Sequence, residues 1–355
     1  MKKIAIVCKS LSRGGAERVT VRLSDYIYNS AVDVSIITIA KGNEEYFIPE
    51  GVKRYSISDS EESCSYFSTI LKIRKIIRVQ AFDTVLVMGV PLLIYLLLVI
   101  NMKNVRVIVS ERGNPYQFTG KKIVQKVALK LMRYADGYVF QTEGAKSFFG
   151  KHIQKKAVVI PNPLISESLP EVYRGERERL IVSVGRLMSV KNHNMLITAF
   201  SQIADKYSDY KLVIYGEGVL REELEEYIND IGLSDRILLP GNKENVLDLI
   251  KSASLFVFTS NSEGMPNALI EAMALGLPCV STDCPCGGPK ELITDGENGY
   301  LVPVGDVDSL VKQLTFILEN RDCAEKIARN AVKIRDRLDI KIIGAQWLNY
   351  LRIKE

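Results

Sequence analysis

Short runs of aliphatic and β-branched residues alternate with longer amphipathic stretches through the first half of the chain. The runs predict buried strands and the stretches predict helices, because continuous apolar runs suit a parallel sheet covered on both faces. Strands are predicted at residues 4–7, 34–39, 84–88, 105–109, 137–140 and 157–160. Helices are predicted at residues 16–28, 70–79 and 121–134.

The same alternation begins again after Pro161-Asn162-Pro163 and a polar linker at 166–179. Further strands are predicted at 180–184, 211–215, 236–239, 255–259 and 278–281. Two consecutive arrays predict an α/β fold of two Rossmann-like, doubly wound domains that face each other across a cleft. The first domain is expected to span residues 1–165 and the second 166–339. Ligands of such sheets bind beyond the carboxyl ends of the strands.

One very apolar stretch, residues 90–100, needs a separate interpretation. It is far shorter than the roughly 20 residues that a membrane-spanning helix requires. A buried helix is therefore predicted, and a helix that touches a membrane is the less favoured alternative.

Composition is consistent with two folded domains in a reducing compartment. A chain of 355 residues exceeds what one hydrophobic core usually organises. Six cysteines are scattered along it, which favours a cytoplasmic chain without a disulfide framework. The apolar run that follows Met1-Lys2-Lys3 is too short for the core of a secretory signal, so none is expected.

The charge is divided unequally between the two halves. Residues 1–165 carry 25 Lys/Arg and 13 Asp/Glu, a net charge of +12, which leaves 22 basic and 29 acidic residues, −7, for the rest. The basic residues could simply form a solvated surface. A surplus of this size favours instead a polyanionic partner of the first domain. On the helix predicted at 121–134, Lys122, Lys126, Lys130 and Arg133 share one stripe, and Ile123, Val124, Val127, Leu131 and Met132 form its apolar side.

A glycine pair lies between the first predicted strand and helix, within Arg13-Gly14-Gly15-Ala16. Glycines here let the backbone approach a ligand and direct helix N–H groups towards an anion. A tight turn explains the pair about as well. The sequence is not the GxGxxG of a dinucleotide site, so a dehydrogenase is disfavoured.

The second domain carries more chemistry. Gly185-Arg186 ends its first strand and Lys191 follows, which predicts a clamp of two cations for a diphosphate. Glu263 precedes a turn at Gly264 and Pro266, and Glu271 lies about one turn into the next helix. Carboxylates bind sugar hydroxyls well because each oxygen accepts from an OH.

These motifs together resemble the family 4 retaining glycosyltransferases of GT-B fold. The resemblance rests on Arg186 with Lys191, on Glu263-x7-Glu271, on the stretch 295–302 and on the loop 14–18, in this order along nearly the whole chain. It implies that the last helix, about 340–355, crosses back onto the first domain. It also implies a sugar donor carried on a nucleotide, UDP by family habit, and an acceptor that is a glycan.

The resemblance also implies a role for each residue. Gly14 and Gly15 would face the donor phosphates, and Arg186 and Lys191 would neutralise the leaving diphosphate. Glu263 would approach the transferred sugar, and Glu271 would hold the ribose hydroxyls. Backbone contacts to the donor would come from the residues that follow Glu263, namely Gly264, Met265, Pro266, Asn267, Ala268 and Leu269.

One departure from the family concerns histidine. Many relatives carry a histidine in the middle of the first domain, whereas this chain has only His152 and His193. His193 is expected at a helix start and His152 on the surface. The loop that begins Ser110-Glu111-Arg112 resembles that of relatives which use polyprenyl-diphosphate-linked acceptors, so Arg112 is a candidate site residue.

Asp306-Val307-Asp308 could be mistaken for a metal-binding DxD motif. A helix cap is the preferred interpretation, and no metal or other cofactor is expected, because the two cations can stabilise the departing diphosphate. A nucleotide-sugar epimerase, a glycogen-type synthase and a non-catalytic nucleotide-sugar-binding protein remain alternatives. The expected partners are the donor, the acceptor and the anionic inner face of the cell membrane, but no nucleic acid.

Overall fold

The computed structural model describes residues 2–12, 14–42, 44–60, 65–117 and 121–352. The chain divides into two compact units, Met1–Pro163 with Ile340–Glu355, and Leu164–Asp339. Arg13 and Cys64 lie outside the described residues. The described cysteines are free thiols: Cys8, Cys279, Cys284, Cys286 and Cys323.

The first unit contains a parallel sheet with helices on both faces. Its strands are β1 Lys3–Cys8, β2 Asp33–Thr38, β3 Lys53–Ser56, β4 Thr84–Met88, β5 Arg106–Glu111, β6 Gly137–Phe140 and β7 Ala157–Val159. They are ordered β3-β2-β1-β4-β5-β6-β7. Its helices are α1 Gly15–Asn29, α2 Tyr66–Gln80, α3 Lys122–Leu131, α4 Glu143–Ser147 and α5 Lys151–Gln154. The C-terminal helix Ile340–Arg352 also belongs to this unit.

The second unit repeats the arrangement around a second parallel sheet. Its strands are β8 Glu178–Val184, β9 Lys211–Tyr215, β10 Ile237–Gly241, β11 Ala253–Phe258, β12 Cys279–Thr282 and β13 Tyr300–Val302, ordered β10-β9-β8-β11-β12-β13. Its helices are α6 His193–Ile203, α7 Arg221–Asp230, α8 Val246–Ile250, α9 Asn267–Ala274, α10 Gly288–Leu292, α11 Val307–Glu319, α12 Arg321–Ala331 and α13 Ile334–Arg337. Two Rossmann-like α/β domains are therefore confirmed.

The C-terminal helix belongs to the first unit, as predicted. Trp347 is fully buried there, and the Tyr350 hydroxyl donates to the Lys156 carbonyl over 2.7 Å. A Cβ placed on Gly344 would come within 2.3 Å of the Tyr26 ring, so a glycine lets this helix pack closely against α1.

Two predicted elements need correction, and two strands were missed. Residues 90–100 do not form a buried α-helix: Val90–Leu96 is a 3₁₀ helix, and Leu97 and Leu98 are exposed. The helix predicted at 121–134 ends in a 3₁₀ turn, Met132–Tyr134. Strands β3 and β13 were not predicted, because both are short edge strands and β3 is mostly polar. None of the described helices is both long and apolar enough to cross a membrane.

Candidate functional site

The loop after β8 lies at the carboxyl edge of the second sheet. Its backbone is held by β9 and the residues that follow, since Gly185 N–H donates to the Tyr215 carbonyl and Leu187 N–H to the Glu217 carbonyl, both over 2.9 Å. Gly216 has φ +153°, and a Cβ there would come within 2.0 Å of the Gly185 carbonyl oxygen. Gly216 therefore lets the two backbones approach closely, and the two hydrogen bonds fix the turn that carries Arg186. The Arg186 side chain is exposed and forms no ion pair within the described part of the chain.

Lys191 ends a single 3₁₀ turn, Ser189–Lys191, and is followed by Asn192 in the left-handed conformation with φ 49°. The Asn192 side chain caps α6 by accepting from the Met195 N–H. Its amide also donates to Asn261 Oδ1 over 3.0 Å, and the Asn261 N–H donates to the Val190 carbonyl over 2.8 Å. The loops after β8 and β11 are thereby tied together.

This connection brings two predicted site residues into contact. Lys191 Nζ lies 2.5 Å from Glu263 Oε1, and the two side chains are only 17% and 16% exposed. The Ser260 hydroxyl donates to the same Oε1 over 2.9 Å. Lys191 Nζ also lies 5.0 Å from the centre of the Phe258 ring. The site thus presents a sheltered carboxylate beside a sheltered cation.

The backbone of Glu263 is fixed by the loop after β12. Glu263 N–H donates to the Pro285 carbonyl over 2.8 Å, and Cys286 N–H donates to the Glu263 carbonyl over 3.0 Å. A Cβ on Gly288 would come within 2.0 Å of the Gly264 carbonyl oxygen. Only a glycine at position 288 therefore allows this segment to pack against the turn at Gly264. This support was not predicted from the sequence.

Helix α9 begins directly after that turn. Pro266 is its N-cap residue and provides no side-chain cap. Gly264, Met265, Pro266 and Leu269 are buried, Asn267 and Ala268 are half-buried, and Glu271 is 8% exposed. The positive end of the helix dipole and the Glu271 carboxylate therefore belong to the same short segment as Glu263.

His193 is the first residue of α6, as predicted, and it is buried. Burial lowers the pKa of its imidazole to about 4, and the nearby Lys191 cation acts in the same direction. Backbone contacts with Arg186 and Gly185 oppose this shift in pKa but do not outweigh burial. His193 is therefore neutral at physiological pH and adds no charge beside Lys191. His152 is exposed, also as predicted.

In the first unit, the glycine loop leads into α1. Gly14 is the N-cap residue in an extended conformation, with φ −143°, and no side chain among the described residues caps the helix. Gly15 opens the helix and Glu17 lies in its first turn. A Cβ on Gly14 would come within 2.3 Å of a Glu17 carboxylate oxygen. That position tolerates only glycine while Glu17 keeps this rotamer.

Arg112 is not an open site residue but part of a buried network. Its guanidinium donates to the Ile160 carbonyl over 3.4 Å and to Asn162 Oδ1, and it lies 5.9 Å from the Trp347 ring centre. Burial lowers its pKa to about 9, which the adjacent Glu111 partly opposes. These contacts give Arg112 a structural task. A role at the acceptor stays a prediction.

Asp306 caps α11, which confirms the preferred interpretation of Asp306-Val307-Asp308. Its carboxylate accepts from the Ser309 N–H over 2.9 Å and from the Ser309 hydroxyl over 2.6 Å. Within the described ranges, no group of three His, Cys, Asp or Glu residues is placed to hold a metal ion.

Comparison with known families matches both halves of the chain. The profile described as "Glycosyl transferases group 1" matches residues 166–334, and the one described as "Glycosyltransferase Family 4" matches residues 13–167. The first match includes the Arg186, Lys191, Glu263 and Glu271 positions, and the second includes the Gly14-Gly15 loop.

Full-length relatives are found among curated proteins. One, from Campylobacter jejuni, is the N-acetylgalactosamine-N,N'-diacetylbacillosaminyl-diphospho-undecaprenol 4-alpha-N-acetylgalactosaminyltransferase. It is 30% identical, over 99% of this chain and 100% of its own length. An uncharacterized glycosyltransferase of Haemophilus influenzae is 28% identical, over 99% of this chain and 100% of its own length.

Solved structures share the fold at low identity. A mutant of S. aureus TarM, in complex with Fondaparinux, alpha-GlcNAc-glycerol and UDP, has a TM-score of 0.83 at 14% identity, covering 99% of this chain and 100% of its own. Anabaena HepE in complex with UDP-glucose has a TM-score of 0.83 at 18% identity, covering 99% of both chains.

Proposed function

This chain belongs to the glycosyltransferases of group 1 and family 4, and we propose that it moves a hexose or an N-acetylhexosamine from a nucleotide sugar to a glycan acceptor with retention. The observation that carries this proposal is the sheltered contact between Lys191 and Glu263 at the carboxyl edge of the second sheet. A cation for phosphate and a carboxylate for sugar hydroxyls stand side by side there, which suits a donor that contains both groups.

In the proposed reaction an acceptor hydroxyl attacks the anomeric carbon while the nucleotide diphosphate leaves from the same face. The bond from the anomeric carbon to the diphosphate oxygen breaks, and the departing phosphate takes the proton of the hydroxyl. Arg186 and Lys191 stabilise the charge that develops on that phosphate, because a cation acts most strongly on a group whose negative charge increases in the transition state. Glu263 holds the sugar and Glu271 the ribose.

UDP is the proposed nucleotide. Support comes from the solved relatives, since the TarM mutant was crystallised with UDP and HepE with UDP-glucose. A thermal-shift screen of nucleotide sugars tests this choice, because a ligand at about 100 times its Kd stabilises the folded state by about 2.7 kcal/mol. Larger shifts with GDP- or ADP-sugars would redirect the assignment.

The proposed acceptor is a polyprenyl-diphosphate-linked glycan used in bacterial glycan assembly. Support comes from the Campylobacter jejuni relative, whose name specifies a diphospho-undecaprenol substrate. An epimerase is the rival among GT-B enzymes, and it would release free sugar from the donor without acceptor. A protein that only binds nucleotide sugar is disfavoured, because it would not need cations to stabilise a leaving group.

We expect transfer to continue in excess EDTA. Asp306 is engaged as a helix cap, and Arg186 and Lys191 can supply the positive charge that a metal provides in other transferases. The measurement is the initial rate of UDP release before and after chelation. A complete loss that Mn²⁺ or Mg²⁺ restores would overturn the expectation.

Attachment to the inner face of the cell membrane is the further part of the proposal. The connections that contain α2, the 3₁₀ helix Val90–Leu96 and α3 all cross the sheet in the same direction, so right-handed crossovers place them on one face. The stacked rings of Tyr66 and Tyr95, 5.4 Å apart, join the start of α2 to the 3₁₀ helix.

The outer side of this layer carries exposed apolar side chains. On α3, Ile123 and Val127 of the predicted apolar side are 71% and 37% exposed beside the exposed Lys122, Lys126 and Lys130. Other exposed apolar side chains in the layer include Phe67, Leu71, Leu97 and Leu98. We call these six apolar residues the apolar ridge. Lysines surround apolar side chains on peripheral membrane helices in the same manner.

The occupant that this surface suits is an anionic bilayer. Each basic residue near an anionic leaflet contributes about 1 kcal/mol, and the apolar ridge can enter the headgroup region. Lys122/Lys126/Lys130→Glu is expected to abolish co-sedimentation with anionic liposomes and to leave UDP binding intact.

The matched control for that variant is Lys312/Lys326/Lys333→Glu, which makes the same change in charge on exposed residues of the second unit. It should retain liposome binding. Binding by the wild type should require anionic lipid and decline with added salt. A wild type that ignores anionic liposomes at low salt would refute membrane attachment and favour a soluble acceptor.

A further inference from the structure

The Glu263 carboxylate is held asymmetrically. Both of its recorded donors, Lys191 Nζ at 2.5 Å and the Ser260 hydroxyl at 2.9 Å, bind Oε1. None of the described residues donates a hydrogen bond to Oε2. One oxygen is therefore occupied by the protein, and the other can accept from a hydroxyl of the sugar.

Ser260 is well placed to orient that carboxylate. It is fully buried just beyond the end of β11, and its carbonyl accepts from the Thr282 hydroxyl over 2.6 Å. Thr282, the last residue of the adjacent β12, is also fully buried. The backbone of Ser260, in the loop after β11, is therefore tied to the end of β12 by a hydrogen bond.

The two donors differ in what else they can do. The Lys191 ammonium is mobile at the end of four methylenes and carries the charge that a diphosphate attracts. The Ser260 hydroxyl is neutral and buried, and its short side chain cannot extend from Glu263 to a diphosphate as Lys191 can. When Lys191 turns towards a diphosphate, Ser260 is the donor that stays on Oε1.

We propose that Ser260 is a positioning residue for sugar transfer, which holds Glu263 Oε1 so that Oε2 faces the donor sugar. This inference rests on the proposed function, because it assigns Ser260 a task only if Glu263 contacts the sugar. It assigns Ser260 no contact with the nucleotide. The consequence is a specific division of effects: turnover depends on the Ser260 hydroxyl and UDP affinity does not.

The test begins with Ser260→Ala. Loss of a hydrogen bond to a charged group typically changes a rate or binding constant by about 10- to 150-fold. We therefore expect kcat to decrease by about 10- to 100-fold. The Kd for UDP should not change. Ser260→Thr keeps the hydroxyl and should restore at least part of kcat. The matched control is Ser281→Ala, which removes a fully buried hydroxyl that donates to the Thr282 carbonyl over 3.1 Å and should leave kcat unchanged.

A double-mutant cycle with Glu263→Ala separates positioning from general stability. If Ser260 acts through the carboxylate, Ser260→Ala has no further effect on kcat once Glu263 is absent. Thermal unfolding of Ser260→Ala and Ser281→Ala, measured in parallel, detects simple destabilisation.

The possible outcomes are distinguishable. Wild-type kcat in Ser260→Ala together with an inactive Glu263→Ala would overturn the inference and leave the proposed function standing. A Ser260→Ala effect that is equally large in the Glu263→Ala background would also overturn it. Wild-type kcat in Glu263→Ala would remove Glu263 from the site and overturn the inference, whereas a wild-type protein that transfers no sugar would refute the proposed function itself.

Discussion

Glu263→Ala is expected to lower kcat by roughly 100-fold or more, the loss that follows removal of one group acting on the transition state. The Kd for UDP should not rise, because UDP lacks the transferred sugar that Glu263 is proposed to contact. It could even decrease, since Lys191 would lose the carboxylate that holds it at 2.5 Å. Steady-state kinetics with calorimetric titration of UDP separates the two quantities.

Two further variants sharpen that experiment. Glu263→Gln keeps the shape of the side chain but removes its charge, so it reports how much of the effect is electrostatic. Glu226→Ala removes an exposed carboxylate from α7 and should behave as wild type. Turnover near that of the wild type in Glu263→Ala would remove Glu263 from the site.

Arg186→Ala and Lys191→Ala are each expected to weaken UDP binding by about 1.5–3 kcal/mol, the usual contribution of a charge-assisted contact. Arg186→Ala is the simpler variant to interpret, because this guanidinium forms no ion pair with the described residues. Lys191→Ala also deprives Glu263 of its counter-ion, so part of its effect on kcat will come through the carboxylate. The double variant should be nearly inactive.

Calorimetric titration with UDP measures these losses, and Lys326→Ala provides the control, because it removes an exposed cation from α12. Unchanged Kd values in both single variants would place the diphosphate clamp elsewhere. A loss in Arg186→Ala alone would mean that Lys191 serves Glu263 rather than the phosphate.

Apolar periodicity predicted the fold well where strands are buried on both sides. The strands at 84–88, 137–140 and 211–215 were predicted with the bounds that the structure has. The edge strand Lys53–Ser56 was not predicted, because a strand that pairs on one side only and is partly open to solvent does not need a continuous apolar run. The apolar ridge also escaped it, because periodicity separates apolar from polar positions but cannot tell which of them remain exposed.

The site was predictable where its chemistry is local in sequence. Arg186, Lys191, Glu263 and Glu271 were candidates because their spacing and neighbours are distinctive, and their roles stay predictions. The contact between Lys191 and Glu263 spans 72 residues and depends on how two loops meet. Ser260, Thr282 and the loop after β12 gave no comparable signal, since ordinary serines, threonines and glycines acquire their roles only through the pairing of β11 with β12. The burial of Arg112 was invisible for the same reason.

Transfer of labelled sugar from UDP-hexoses and UDP-N-acetylhexosamines to a synthetic undecaprenyl-diphosphate-linked glycan tests the central claim most directly. NMR analysis of the product reports the anomeric configuration. We expect label to enter the lipid-linked product from at least one donor, with the α-configuration of the donor retained and UDP released only when acceptor is present. Free sugar released at the same rate without acceptor, or a product of inverted configuration, would contradict the assignment as a retaining glycosyltransferase.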